Sequence, residues 1–436
     1  MSLFGAMSTA ISGLTAQSSA FGNISDNIAN SQTVGFKGTG TSFEDLLTSS
    51  SATDNQPGAV LARPDYQNDV QGSISQSKNP LAMAISGQGF FPISLQAAGQ
   101  VGTVNFAAQQ YYTRAGDFAM NASGYLVNGD GAYLNGWPIN PATGAADQTK
   151  LAPVQITQSL YNPIPTSAVT LAANLPATPV VGTPITSVVS VYDTLGTSHV
   201  LTLNWTQSAQ NVWTVAVTSP DDITAPALGT ATVKFGPVAS GSAVPDGAVG
   251  SIGGGTGTLS GSAFVTGQPA TLTLTSNFGN GPQAINVNMG VFGQATGITQ
   301  YAGTAYSLQS LSQNGAPQGS FTSVSVSSGG DIQVNYDNGQ VRKIAQIPIT
   351  VFADPNALQR QNGSKFTATL ASGAPLNDSA GANGAGTLQV GALEGSNVDI
   401  ATQFSSLIVT QQAYSANAKI ITTAEQLLQT TLSMKQ

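Results

Sequence analysis

The sequence predicts a mainly β, nested multidomain protein framed by two long terminal α-helices, on three observations. All 22 prolines lie between Pro57 and Pro375, so both ends of the chain lack the strongest helix breaker. Apolar residues recur at sustained spacings of 3 and 4 only at those two ends. Between them, short aromatic and β-branched runs alternate with Asn/Gly turns, the pattern of successive hairpins.

The first element is a helix within residues 1–30, with Phe4, Met7, Ile11, Leu14, Phe21, Ile24 and Ile28 on one face. Gly5, Gly13 and Gly22 each cost it up to about 1 kcal/mol against Ala. No charged side chain precedes Asp26, so i,i+4 ion pairs do not support it either. It is expected to be helical only when packed. Residues 31–74 read as an extended connecting segment. Residues 75–148 and 299–395 read as one β domain built from both halves of the chain, with a turn at Asp337-Asn338-Gly339 in its second half. Residues 149–298, rich in Val and Thr, read as an inserted outer β domain, and its Gly250 to Gly261 run as a flexible loop.

The last element occupies residues 396–436. Ile400, Phe404, Leu407, Gln411, Tyr414, Ala418, Ile421, Glu425, Leu428 and Leu432 alternate spacings of 4 and 3, a heptad seam. Asn397 or Asp399 can cap it. A helix of ~35 residues spans roughly 50 Å, longer than a small domain is wide. It must therefore pack on another long helix, and the N-terminus supplies one: the terminal helices are expected to pair as a coiled coil.

Composition narrows the function. Lys, Arg, Asp and Glu make up 7% of 436 residues, against about 25% in an ordinary soluble domain. With 41% hydrophobic residues the chain is not a charged disordered polymer. A net charge of −8 argues against a nucleic-acid partner, which needs basic patches. The absence of cysteine removes disulfides, thiolate metal sites and cysteine nucleophiles. No apolar run reaches the ~18 residues of a membrane helix, so no membrane partner is expected. The first Lys or Arg is Lys37, so no basic leader region precedes an apolar run, and export without a cleaved signal peptide is expected.

No constellation carries chemistry. The single histidine, His199, cannot build a zinc cluster, and its strand-like surroundings favour a structural or solvent role over general base. A Gly-x-Ser-x-Gly elbow is absent, and Asp221-Asp222 read as a turn. The turns at Asp130 and Asp337 lack calcium-loop spacing, and Gly253-Gly254-Gly255 lack a P-loop Lys. Trp137, Trp205 and Trp213 are dispersed, as core residues are. A pair of opposed carboxylates of the glycosidase kind stays formally open. No catalytic, cofactor-binding or metal-ligating residue is expected, and the chain is not expected to be an enzyme.

The segment Ser25-Asp26-Asn27-Ile28-Ala29-Asn30-Ser31-Gln32-Thr33-Val34-Gly35-Phe36-Lys37 closely resembles the N-terminal signature of the bacterial flagellar axial family of rod, hook and hook-associated subunits, with Asn27, Ala29, Asn30, Gly35, Phe36 and Lys37 as the motif positions. Tyr112-Thr113-Arg114-Ala115-Gly116-Asp117-Phe118, Val191-Tyr192-Asp193-Thr194-Leu195-Gly196-Thr197-Ser198-His199, Leu393-Glu394-Gly395-Ser396-Asn397-Val398-Asp399 and Gln411-Gln412-Ala413-Tyr414-Ser415-Ala416-Asn417-Ala418-Lys419 resemble later segments of that family in the same order. The ~150-residue insertion favours the hook branch over the distal rod branch. The resemblance implies a homopolymer that forms a curved extracellular tube, a flexible universal joint passing motor torque from rod to filament. It also implies distal rod, hook cap, hook–filament junction proteins and the flagellar type III export apparatus as partners. A rod or junction subunit is the nearer alternative. A secreted β-rich adhesin or glycan-active protein is the alternative from another class, disfavoured by heptads at both ends.

Overall fold

The computed structural model describes residues 3–50, 55–97, 105–141, 143–179, 183–237, 244–303 and 305–434. It is mainly β, with long terminal helices, and divides into two compact units, each built from discontinuous chain.

Unit 1 comprises Met1–Gln158, Ser323–Asn335 and Val341–Gln436. Helix α1 runs from Leu3 to Ala29 and helix α2 from Ile400 to Ser433, and the two pack on one another. Asp399 caps α2 by accepting the Thr402 N–H at 2.8 Å. Asn397, the other expected cap, instead accepts Gly38 N–H at 2.7 Å, tying α2 to the segment that leaves α1.

The segment after α1 is more than a connection. Strands β1 (Thr39–Ser50) and β2 (Asn55–Tyr66) pair antiparallel from Thr39↔Tyr66 outward, so residues 31–74 contain a long hairpin. Polar side chains on α1 hold it: Thr9 donates to Gly58 O at 2.9 Å, Asn23 to Thr41 Oγ1 at 2.9 Å, and Ser12 Oγ accepts Val60 N–H at 3.2 Å. The β body of unit 1 centres on antiparallel strands Phe91–Ser94, Tyr111–Thr113, Tyr133–Pro138 and Lys365–Thr367. Phe90, Tyr112, Phe352, Leu358 and Phe366 form an aromatic-rich core under them, with Phe90 edge-on to Phe366 at 5.4 Å. Trp137 is buried in the same body.

Unit 2 comprises Ser159–Thr322 and Tyr336–Gln340. An antiparallel five-stranded sheet (Ile185–Tyr192, Ser198–Ala209, Val212–Thr218, Ala227–Phe235, Val249–Gly253) shares one hydrophobic core with a mixed six-stranded sheet in which Ala168–Pro176 runs parallel to Pro282–Val291. Period-2 patterning accounts for the shared core: Trp213, Val215 and Val217 point inward from one strand, and Ala270, Leu272 and Leu274 from another.

Two expectations differ from what is seen here. The insertion extends past 298, because Ile298–Tyr301 and Ser307–Gln313 both pair with Ala168–Pro176. Residues 336–340 join it as well: Asn338 donates to Pro317 O at 2.8 Å and Asp337 accepts Ser320 N–H at 2.7 Å. The glycine run from 250 to 261 is structured, since Val249–Gly253 pairs with Ala227–Phe235 and Thr256 N–H reaches Thr230 O at 2.9 Å. Its glycines serve close approach: a Cβ at Gly255 would stand 2.3 Å from Leu259 O, and one at Gly257 2.3 Å from Leu228 O.

Candidate functional site

The candidate site is the helix pair of unit 1 and the root where both helices meet the β body. Gly13 faces Asn417, whose Nδ2 lies 2.8 Å from where a glycine Cβ would stand, and Asn27 Nδ2 donates to Gln403 Oε1 at 3.2 Å. Moving 14 residues forward on α1 moves 14 back on α2, so the pair is antiparallel and keeps a heptad register. That register sets Ala20 against Thr410 and Ala6 against Ala424, and Ala20, Thr410 and Ala424 are all buried. The seam is therefore made of small residues that let the backbones come close.

This corrects the phase of the expected seam while keeping its period. Among the anticipated apolar positions, Ile24 is buried, and Met7, Leu14, Ile28, Leu407, Ile421 and Leu428 are half-buried. Ile11, Phe21, Ile400, Phe404 and Tyr414 are exposed, Phe404 at 50%. The side chains of Phe4 and Leu432 lie outside the described residues. Ala, Gly, Thr and Asn fit at the closest approach of the helices; Ile24 and the half-buried apolar groups flank it, and the remaining large groups line the outside. Ile408, Val409, Ile420 and Leu427 join them there.

The motif segment forms the root. Asn27, fully enclosed, acts as a strand partner in miniature: its Nδ2 donates to Thr39 O and its Oδ1 accepts Thr39 N–H, both at 2.9 Å. Ala29 is the last residue of α1. Asn30 closes the helix end by donating to Asp26 O at 3.0 Å and accepting from Thr33 Oγ1 at 3.2 Å. Gly35 has φ +66°, and any Cβ there would stand 2.4 Å from Ala115 N. Phe36 is buried beneath the Arg360 guanidinium, 4.8 Å from the ring centroid.

Lys37 leads to a group the sequence reading did not single out. Its ammonium donates to Glu394 Oε1 and to Val70 O, each at 2.6 Å. Arg114 donates to Glu394 Oε2 at 3.1 Å, and Gly72 N–H to Oε1 at 2.9 Å. All three charged side chains are wholly enclosed. Burial pushes the Lys37 ammonium below the usual lysine range, with Glu394 pulling it back up and Arg114 pushing it further down. Burial also lowers Arg114, again opposed by Glu394. The available signal was scarcity: in a chain with only 12 basic and 20 acidic residues, Lys37, Arg114 and Glu394 each fall inside a motif segment.

In unit 2, His199 lies with Nδ1 3.2 Å from Asp221 Oδ2 and Nε2 3.5 Å from Asp193 Oδ2, stacked on Phe278 at 4.1 Å between centroids. Asp222 nucleates a turn, its Oδ1 accepting Thr224 N–H at 2.7 Å and Ala225 N–H at 2.8 Å. Among the described residues no cluster of His, Asp and Glu is arranged to hold a metal ion, and no helix is long and apolar enough to cross a bilayer.

Four family models match in chain order: the flagella basal body rod protein at residues 7–37, the flagellar hook protein FlgE/F/G D1 domain at 84–170, the flagellar basal body protein FlaE D2 domain at 166–316, and the flagellar basal body rod FlgEFG protein C-terminal at 389–434. The class is thus a flagellar axial protein with an inserted domain. The chain is 30% identical to the flagellar hook protein FlgE of Brucella suis biovar 1 (strain 1330) over 441 residues, covering 100% of both chains. It is 30% identical to that of Escherichia coli (strain K12), covering 99% of this chain and 100% of the relative. The crystal structure of Helicobacter pylori flagellar hook protein FlgE2 shares the fold at 14% identity and a TM-score of 0.51, over 72% of this chain and 99% of that one. The chain belongs to the flagellar hook protein FlgE family, structural subunits of the flagellum outside the cell.

Proposed function

We propose that this chain polymerises with itself into a curved helical tube, the flexible joint that carries motor torque from rod to filament. The observation that carries the reading is the pair of long helices whose mutual seam is filled by small residues while Ile11, Phe21, Phe404, Ile408, Tyr414 and Leu427 stay outside. Exposed apolar side chains along both helices suit burial against further copies, since a lone soluble surface rarely carries so many. Contacts between different faces of identical subunits generate open helical polymers when the rotation between copies does not close into a ring. In this assignment residues 1–30 and 396–436 form the inner tube, and the β body of unit 1 and unit 2 the outer layers. The distal rod, hook cap, hook–filament junction proteins and type III export apparatus are the partners that fit a tube built this way. The role in this reading is structural, as it is in the family to which the chain belongs.

Electron microscopy of the purified, concentrated full chain tests this. Long curved tubes are expected; monomers or closed rings alone would overturn it.

A further inference from the structure

We propose that Glu394 is the positioning residue that clamps both terminal helices onto the β body, and that competence to assemble depends on the closed clamp. Three parts of the chain converge on its carboxylate. Lys37 lies eight residues after the end of α1, and Glu394 itself six residues before the start of α2. Arg114 belongs to the β body, where its guanidinium also donates to Ile85 O at 3.3 Å and Gly87 O at 2.8 Å. Backbone bonds follow the same path: Gly35 N–H donates to Glu394 O at 2.8 Å and Gly395 N–H to Ser73 O at 2.7 Å. Two enclosed cations thus share one anion. Removing that anion leaves both cations without a counter-charge at a site closed to solvent, with only backbone carbonyls as partners, which forces the root open instead of merely weakening a contact. Helices as glycine-containing and charge-poor as α1 derive their order from packing, so an open root releases them.

The clamp deepens the tube reading and makes a separate claim about which residue governs it. The full chain is compared with E394Q, K37M and the apolar triple K37M/R114M/E394M, by sedimentation of tubes and by hydrogen exchange. E394Q is expected to raise the critical concentration by about a hundred-fold or more, because it strips the counter-charge from two enclosed cations at once. Exchange in residues 392–398 should accelerate while residues 201–217 of unit 2 stay as protected as in the parent chain. K37M keeps the Glu394–Arg114 pair and should loosen residues 35–41 more than 392–398. The triple variant, with no charge left to satisfy, should recover assembly to within about three-fold. Normal assembly of E394Q overturns the clamp, as does loss of protection in unit 2, which would mark general misfolding. Failure of the triple to recover also overturns it, because the charge would then act elsewhere. If the parent chain forms no tubes, the tube reading fails by itself, and the clamp is judged by exchange at 392–398 in the monomer, where unchanged protection in E394Q rejects it.

Discussion

A single absent Cβ decides how close the terminal helices can come. Gly13 and Gly22 share the same helix and the same propensity cost, yet their surroundings differ: a Cβ at 13 meets Asn417 Nδ2 at 2.8 Å, whereas one at 22 meets nothing within 4 Å. Gly22→Ala should therefore stabilise the helix pair by up to about 1 kcal/mol. Gly13→Ala gains the same propensity but must turn the Asn417 amide aside, and should stabilise less than Gly22→Ala. Melting followed at the helical circular-dichroism band compares the two, and equal effects would refute the close approach. Aspartates set a second residue-scale response. Asp193 and Asp222 both sit below the ordinary aspartate value of 3.8; their partial desolvation pushes upward, but backbone N–H donors, joined by His199 at Asp193 and by Ser276 at Asp222, outweigh it. As pH falls the unfolded chain takes up these protons first, so their contribution is complete above 3.8 and is lost as pH drops through the lower folded values. Tryptophan fluorescence, dominated in unit 2 by Trp205 and Trp213, should report acid unfolding below about pH 4, and Asp193→Asn with Asp222→Asn should flatten that profile. An unchanged profile in the double variant would count against these turns as the acid-sensitive part.

At the scale of elements, the exposed and the half-buried apolar positions of α2 make opposite predictions. Ile408→Asp and Leu427→Asp change exposed positions, so monomer melting should shift by less than about 0.5 kcal/mol while tubes fail to form. Ile421→Asp alters a half-buried position in the pairing face and should lower helix melting as well. Thermal melts of the monomer beside sedimentation of the polymer separate the cases; similar melts for all three would mean that the helices do not pair in solution. This division also explains what the sequence made legible. Spacings of 3 and 4 revealed both helices and their heptad period, because periodicity needs only local geometry. The phase was hidden, because reading it from apolarity assumes that the largest apolar groups face the partner helix, and here Ala20, Thr410 and Ala424 do so instead. The root was legible as motif residues Asn27, Gly35 and Lys37, but Lys37 meets Glu394 across 357 residues, a pairing that no local pattern encodes. The hairpin of β1 and β2 was missed for a related reason: its hydrogen bonds lean on Thr9, Ser12 and Asn23 of α1, side chains that look merely polar in the sequence.

For the whole molecule, the scarcity of charge becomes a statement about assembly conditions. With 7% charged residues, and with Lys37, Arg114 and Glu394 already consumed inside one unit, few ions remain to steer subunits together. The exposed surface of the helix pair is mostly apolar, Ser, Thr and Gln, with Asp26, Lys419 and Glu425 among its few charges, so its burial releases water and few counterions. Polymerisation should accordingly depend little on sodium chloride, the critical concentration changing by less than about three-fold between about 0.05 M and 0.5 M. Warming from about 5 to 25 °C should favour it, as hydrophobic burial strengthens over that range, and sulfate should favour it beyond its ionic strength by exclusion from the surface. Turbidity and sedimentation across salts and temperatures measure all three responses. A steep loss of assembly with sodium chloride would show that ion pairs between subunits carry the polymer, and would remove the physical reason offered here for so uncharged a chain.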